Sequence, residues 1–148
     1  MKIKQKQPRK FSSDKAKQAA QEIGCPEYPV FSFRHITDNS AFNLDYFNGQ
    51  VRAKEKCLCK LFEKLAMFSS VTWRELLSWK SSQGIEFMSL EHLNFRPAHT
   101  LAVSKDQKFI SARFHSQDFR IIAIKCDGCP ILHIIGFDFD FSAYDHGS

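Results

Sequence analysis

The sequence predicts an α+β domain with the order β-α-α-(β)-β-β-β, a helical hairpin packed on one face of an antiparallel sheet. Three features lead there. The centre of the chain repeats apolar side chains at helical spacing and carries a strong helix-start signature. The C-terminal part holds three strand-like runs joined by short polar turns. One further alternating run stands before the helices, so strands flank a helical block instead of alternating with single helices.

The first element is "PVFSFRHI" (29–36), where Val30, Ser32, Arg34 and Ile36 alternate with Phe31, Phe33 and His35 as a strand requires. "TDNSAFNLDYFNG" reads as loop. From about residue 50 to 68, Leu58, Leu61, Phe62, Leu65 and Phe68 form an apolar stripe. Lys54, Lys56, Lys60 and Lys64 lie on the other faces of that helix. A second helix opens at "VTWREL": Thr72 is an N-cap with Glu75 at N3, and Val71 and Leu76 occupy the staple positions. Trp73, Leu76 and Leu77 make its inward face, and Gly84 suits its stop. The short link between the helices predicts an antiparallel hairpin.

A short strand at 85–89 fits the start of "GIEFMSLEHLNFRPAHT", followed by irregular chain. Then come "KFISARFH" (108–115), "FRIIAIK" (119–125) and "PILHIIGFDFDF" (130–141), an antiparallel meander. Pairing Cys126 with Cys129 across Asp127-Gly128 puts Ile122 opposite His133 and Arg120 opposite Ile135. A two-residue turn at Gln117-Asp118 puts His115 opposite Arg120 and Arg113 opposite Ile122. One face is then apolar (Ile110, Ala112, Phe114, Ile121, Ala123, Leu132, Ile134) and meets the helices. The other, expected to be open, carries Arg113, His115, Arg120 and His133 among isoleucines. Asp138 and Asp140 fall on the opposite parity, as a polar strand end or, in a D-x-D arrangement, a magnesium pair.

The chain has 148 residues, 43% of them hydrophobic and fifteen of them Phe, enough for one core over residues 29–148. Its net charge is +5, but residues 1–18 hold seven Lys/Arg and one Asp, so residues 19–148 come to −1. Residues 1–28 thus read as a basic leader, largely disordered by composition, that solubilises or meets nucleic acid or an acidic partner. The leader lacks the apolar core of a secretory signal, and no apolar run approaches the ~20 residues of a membrane span. Five cysteines, an odd number, fit a reducing cytoplasm. "KCDGC" has the spacing of a metal knuckle, but a second pair is missing and Asp-Gly explains the segment as a hairpin turn. No metal and no cofactor is expected.

Guanidinium groups bind phosphate and stabilise a phosphoryl oxyanion, while imidazole or phenol moves a ribose proton. Apolar side chains between them accept splayed bases. Arg113, His115, Arg120, His133, Tyr144 and His146 supply those parts. Cleavage of single-stranded RNA through its own 2′-hydroxyl needs nothing more.

In element order over residues 29–146 the chain resembles the RelE/ParE-type toxin superfamily of bacterial toxin–antitoxin pairs. Its segments "PVFSFRHI", "ARF" and "ILHIIGFDFDFSAYDHG" also look like those of a group of uncharacterised bacterial proteins. The toxin resemblance implies an endoribonuclease acting on messenger RNA, often ribosome-bound, with an antitoxin protein as partner. It places sheet-face basic groups at Arg113 and Lys125, although alternation puts Lys125 on the helix side. It places the acid/base at His133, and the C-terminal aromatic or imidazole at Tyr144 or His146. His115, Arg120 and Arg34 are the expected RNA contacts. A non-catalytic module that binds RNA or protein, in a toxin–antitoxin or phage-defence system, is the alternative.

Overall fold

A computed structural model describes residues 27–48, 51–98, 101–104, 106–116, 118–127 and 129–146. Nearly all of the basic leader expected at 1–28 lies outside them. The strands are β1 (Val30–Ser32), β2 (Ile85–Ser89), β3 (Lys108–His115), β4 (Phe119–Lys125) and β5 (Ile131–Asp138). The helices are α1 (Val51–Ser69) and α2 (Trp73–Ser78). The α+β class and element order are as the sequence predicts. The five strands form one open sheet in the order β1-β5-β4-β3-β2. Strands β2 to β5 pair antiparallel, but β1 joins β5 in parallel, which makes the sheet mixed.

Helix α2 starts where its capping box predicts. The Thr72 hydroxyl accepts from the Glu75 amide at 3.2 Å, and the Glu75 carboxylate accepts from the Thr72 amide at 2.7 Å. It ends earlier than expected, at Ser78, and Gly84 (φ 77°) instead closes a 3-10 turn over Ser81–Gln83. Helix α1 is rotated relative to its predicted stripe. Cys57, Leu61, Leu65 and Phe68 are buried, whereas Leu58 is exposed and Phe62 is 62% exposed. The rows i, i+4, i+8 and i+11 face the sheet, and burial pushes the Cys57 thiol up to about 11. Leu77 also points outward.

On the helix face, α1 and Trp73 and Leu76 of α2 pack on Ile85, Ile110, Ala112, Ile121, Ala123, Leu132, Ile134, Phe137 and Phe139. The second face is not open as expected. Phe42, Phe95, Ala143 and Tyr144 close over Phe109, Ile122, Ile124 and Ile135 as a second core. Each fully buried large side chain there contributes roughly 1.5–3 kcal/mol of hydrophobic stabilisation. The sheet is therefore sandwiched between helices and irregular chain.

Both meander registers differ from the expected ones by an even step. Arg113 pairs with Arg120 instead of Ile122, because β3 continues through a bulge at Arg113/His115 before the turn. His133 pairs with Ile124 instead of Ile122, because the ladder ends at Lys125 and Leu132, outside the turn in which the Cys129 amide donates to the Cys126 carbonyl at 3.2 Å. An even displacement keeps every side chain on its face. An odd step follows: Ala123 pairs with Ile134 but Ile122 with Gly136, so Ile135 is an extra residue, a β-bulge. Its carbonyl accepts from the Thr37 amide at 2.8 Å. Beyond it Phe137 and Phe139 enter the helix-side core, and Asp138 turns to the second face.

Candidate functional site

The bulge assembles a transverse row of polar residues at one end of the sheet. Arg113 N donates to the Gly84 carbonyl at 2.8 Å, Arg113 is the cross-strand partner of Arg120, and Arg120 is the partner of Asp138. Asp138 therefore does not fall on the helix-side parity. Its side chain is fully buried. Oδ1 accepts from the Ser142 amide at 3.0 Å and from the Asp140 amide at 3.4 Å, and Oδ2 accepts from the Ala143 amide at 3.1 Å. The carboxylate thus folds residues 139–143 into a compact turn, and the Ser142 hydroxyl donates to Asp140 within it. A magnesium pair at Asp138 and Asp140 does not fit this turn. Among the described residues no group of three or more His, Cys, Asp or Glu could hold a metal ion.

The turn delivers three side chains over the row. Phe141 is forced to φ 67°, a left-handed conformation that a bulky residue rarely adopts, so the surrounding contacts must hold it there. Its ring stacks on the His146 imidazole with centroids 3.3 Å apart, and the Arg120 guanidinium lies 5.0 Å from its centroid. Tyr144 packs 3.9 Å from His146 on the other side. His146 Nε2 is buried 3.5 Å from Asp138 Oδ2, close enough for an ion pair when the ring is protonated but not hydrogen-bonded.

One row along, the Tyr144 hydroxyl donates to Glu86 Oε2 of β2 at 2.7 Å and meets the Ser111 hydroxyl of β3 at 2.6 Å. Tyr144 donates to the carboxylate, so Ser111 is the donor of the shorter bond. Burial chiefly, with the Glu86 charge adding, pushes the phenol up to about 12, so it stays neutral at physiological pH. Tyr144, His146, Glu86 and the exposed Lys80 line a groove of about 460 Å³ beside β2.

Of the residues singled out from sequence, Arg120, Tyr144 and His146 gather here. Arg113 joins the row through its backbone, but its guanidinium lies against Gly84, and its charge, after desolvation, lowers the pKa of Lys64 on α1. The others do not. His133 shares the face but sits at the opposite end of β5 from Asp138, about 16 Å away at the usual strand rise. There its ring lies 5.2 Å from that of His35, and desolvation first, then His35, holds its pKa below the ordinary value. Lys125 lies on the helix face, its ammonium 5.1 Å from the Trp73 ring centroid. His115 packs on Phe119 beyond the bulge. Arg34 follows β1, at the sheet edge opposite β2, and is exposed. Glu86, Ser111 and Phe141 were not anticipated. Their signal was weak: Glu86 and Ser111 are polar residues each flanked by apolar neighbours in β2 and β3. Comparison with family models, with curated proteins and with solved structures finds no match to this chain.

Proposed function

We propose that this protein is a metal-independent endoribonuclease that cuts single-stranded RNA, as the resemblance to RelE/ParE-type toxins implies, with its working groups at His146. The observation that carries the reading is the His146 imidazole, clamped between Phe141 and Tyr144, with the Asp138 carboxylate 3.5 Å from Nε2. An imidazole held in place between two rings is positioned to take a proton from a ribose 2′-hydroxyl. The 2′-oxygen then bonds to the adjacent phosphorus, the bond to the 5′-oxygen breaks as that oxygen takes a proton from water, and a 2′,3′-cyclic phosphate results. Arg120, beside the Phe141 ring, sets a positive charge at the row, and Lys80 is the exposed cation at the groove that reaches a phosphate.

Messenger RNA, often ribosome-bound for the toxins that the chain resembles, is the substrate class this reading implies, and an antitoxin protein the partner. The described cysteines are free thiols, in keeping with a cytoplasmic place of action. No helix among the described residues is long and apolar enough to cross a membrane.

The test is incubation of the full chain with end-labelled single-stranded RNA in EDTA. Fragments ending in a cyclic phosphate are expected, with the rate reduced on the order of 10²-fold or more in His146→Ala. Intact RNA would refute the proposal. One observation favours the alternative, a non-catalytic module binding RNA or protein: Tyr144 is only 2% exposed and Arg120 7%, so both are largely withdrawn from solvent. That reading expects salt-dependent RNA binding without turnover.

A further inference from the structure

Strand β2 is an outer strand of the sheet. Its hydrogen-bond phase is fixed at both ends, by Arg113 N to the Gly84 carbonyl and by Leu90 N to the Gln107 carbonyl. Alternation then directs the peptide groups of Glu86 and Met88 toward β3 and those of Ile85, Phe87 and Ser89 away from it. The Ile85 amide is taken by the Lys80 carbonyl. Among the described residues, no backbone group pairs with the Ile85 carbonyl, either group of Phe87 or the Ser89 amide, which form a ladder edge.

Outer strands are ordinarily protected by charge, proline or a covering segment. Here the central side chain is Phe87, 37% exposed, and a groove of about 460 Å³ runs along each side of the strand. On the helix side the groove is walled by Leu77, Phe87 and Ile110, with the charged Lys108, Lys125 and Asp106 also lining it. On the second face it is walled by Glu86, Met88 and Tyr144. An edge ladder between two side-chain grooves is the geometry of strand addition, where main-chain bonds give affinity and alternate pockets give selectivity.

We infer that β2 is a docking edge for an extended segment of a partner protein, added antiparallel, that reads apolar, aromatic, basic in the three positions facing Met88, Phe87 and Glu86. The aromatic residue opposite Phe87 enters the groove beside Leu77. The basic residue lies beside the Glu86 carboxylate, whose Oε2 accepts a hydrogen bond from the Tyr144 hydroxyl. A second copy of this chain fits less well. Self-pairing centred on Phe87 places Glu86 opposite Met88, so neither carboxylate meets a cation. The inference does not depend on the nuclease reading, although a strand seated here would border the His146 groove.

The test uses the full chain, isotope-labelled, and the capped peptide Thr-Val-Tyr-Arg-Val. The Phe87 and Ser89 amides should shift and exchange about tenfold more slowly with solvent on binding. The same peptide N-methylated at its Tyr lacks the donor for the Phe87 carbonyl and should bind about three- to tenfold more weakly. Glu86→Gln, which still accepts from Tyr144, should reduce the preference for this peptide over its reversed sequence. Phe87→Pro removes the outward amide and should abolish binding. Equal binding of the methylated peptide, or no response of the β2 amides, overturns the inference. Protection of the Phe87 amide that rises with protein concentration in the absence of peptide also overturns it, in favour of self-pairing.

Discussion

The Tyr144 hydroxyl lies 2.6 Å from Ser111 Oγ, tying the end of the chain to the middle of β3 in a fully buried setting. Removing one partner strands the other, together with the Glu86 oxygen that Tyr144 serves. Tyr144→Phe is expected to destabilise the domain by about 1–3 kcal/mol. That corresponds to a fall in Tm of roughly 2–4 °C per kcal/mol in a chain of this size. The double variant Ser111→Ala/Tyr144→Phe should lose less than the two single losses added, because no orphaned hydroxyl remains. Strict additivity in a double-mutant cycle would show that the two groups are not coupled.

Asp138 holds the Phe141–His146 turn through three backbone amides. Asn at this position keeps one acceptor oxygen and sets an NH₂ against the Ala143 amide. The expected result is a loss of about 1–3 kcal/mol. Hydrogen exchange should accelerate more at Ala143 than at Ser142. Equal exchange at both positions would mean that the carboxylate does not organise the turn.

Gly136 follows the bulge, and a Cβ there would lie 2.6 Å and 2.8 Å from two ring carbons of Phe95 and 3.0 Å from the Phe42 carbonyl oxygen. Phe95 is itself stacked on Phe42 at 4.8 Å, so the ring has little room to retreat. Gly136→Ala should destabilise by roughly 1–3 kcal/mol, the range for overpacking. Phe95→Leu in the same chain should restore part of it. A Gly136→Ala protein as stable as the parent would place the second core elsewhere.

His133 supplies a pH dependence whose sign is fixed by its environment. Its folded pKa is below the ordinary 6.5, through desolvation and the neighbouring His35. Below 6.5 the unfolded chain therefore binds more protons, and stability rises with pH in that window. The contribution of neutral His133 is complete above the unfolded value and is lost as pH falls through the lowered folded value. Denaturation midpoints measured from pH 7.5 to 5 should decline, and the decline should be shallower in His133→Gln. An unchanged slope would assign the titration to other groups.

Phe141 combines left-handed backbone with stacking on His146. Phe141→Gly relieves the backbone but removes the ring. If the strain is held for the sake of the imidazole, NMR should show His146 becoming mobile while Tm changes by only a few degrees. A His146 ring that stays ordered would show that Tyr144 alone suffices to place it.

Much of this architecture is legible in the sequence, where local rules act on neighbouring residues. The capping box at Thr72 and the strand alternation of β3 and β4 each depend on contacts within a few positions, and each element appears where those rules put it. The even errors in register were harmless for the same reason: a two-residue step leaves the pattern of faces unchanged. The α1 stripe was misread because Leu58 and Phe62 are as apolar as Leu61 and Leu65. Only the packed sheet selects between two such rows.

By itself, then, the sequence determined the α+β class, the order of its elements and the separation of an apolar helix-side face. It also brought Arg113, Arg120, Tyr144 and His146 forward as the groups to watch. The tertiary structure alone decided that Asp138 stands beside Arg120. The reason is one residue of bulge at Ile135, held by the Thr37 amide. Side-chain alternation is a local property, but an odd step in a strand is set by what the distant chain donates to it, and no pattern along β5 announces that donor.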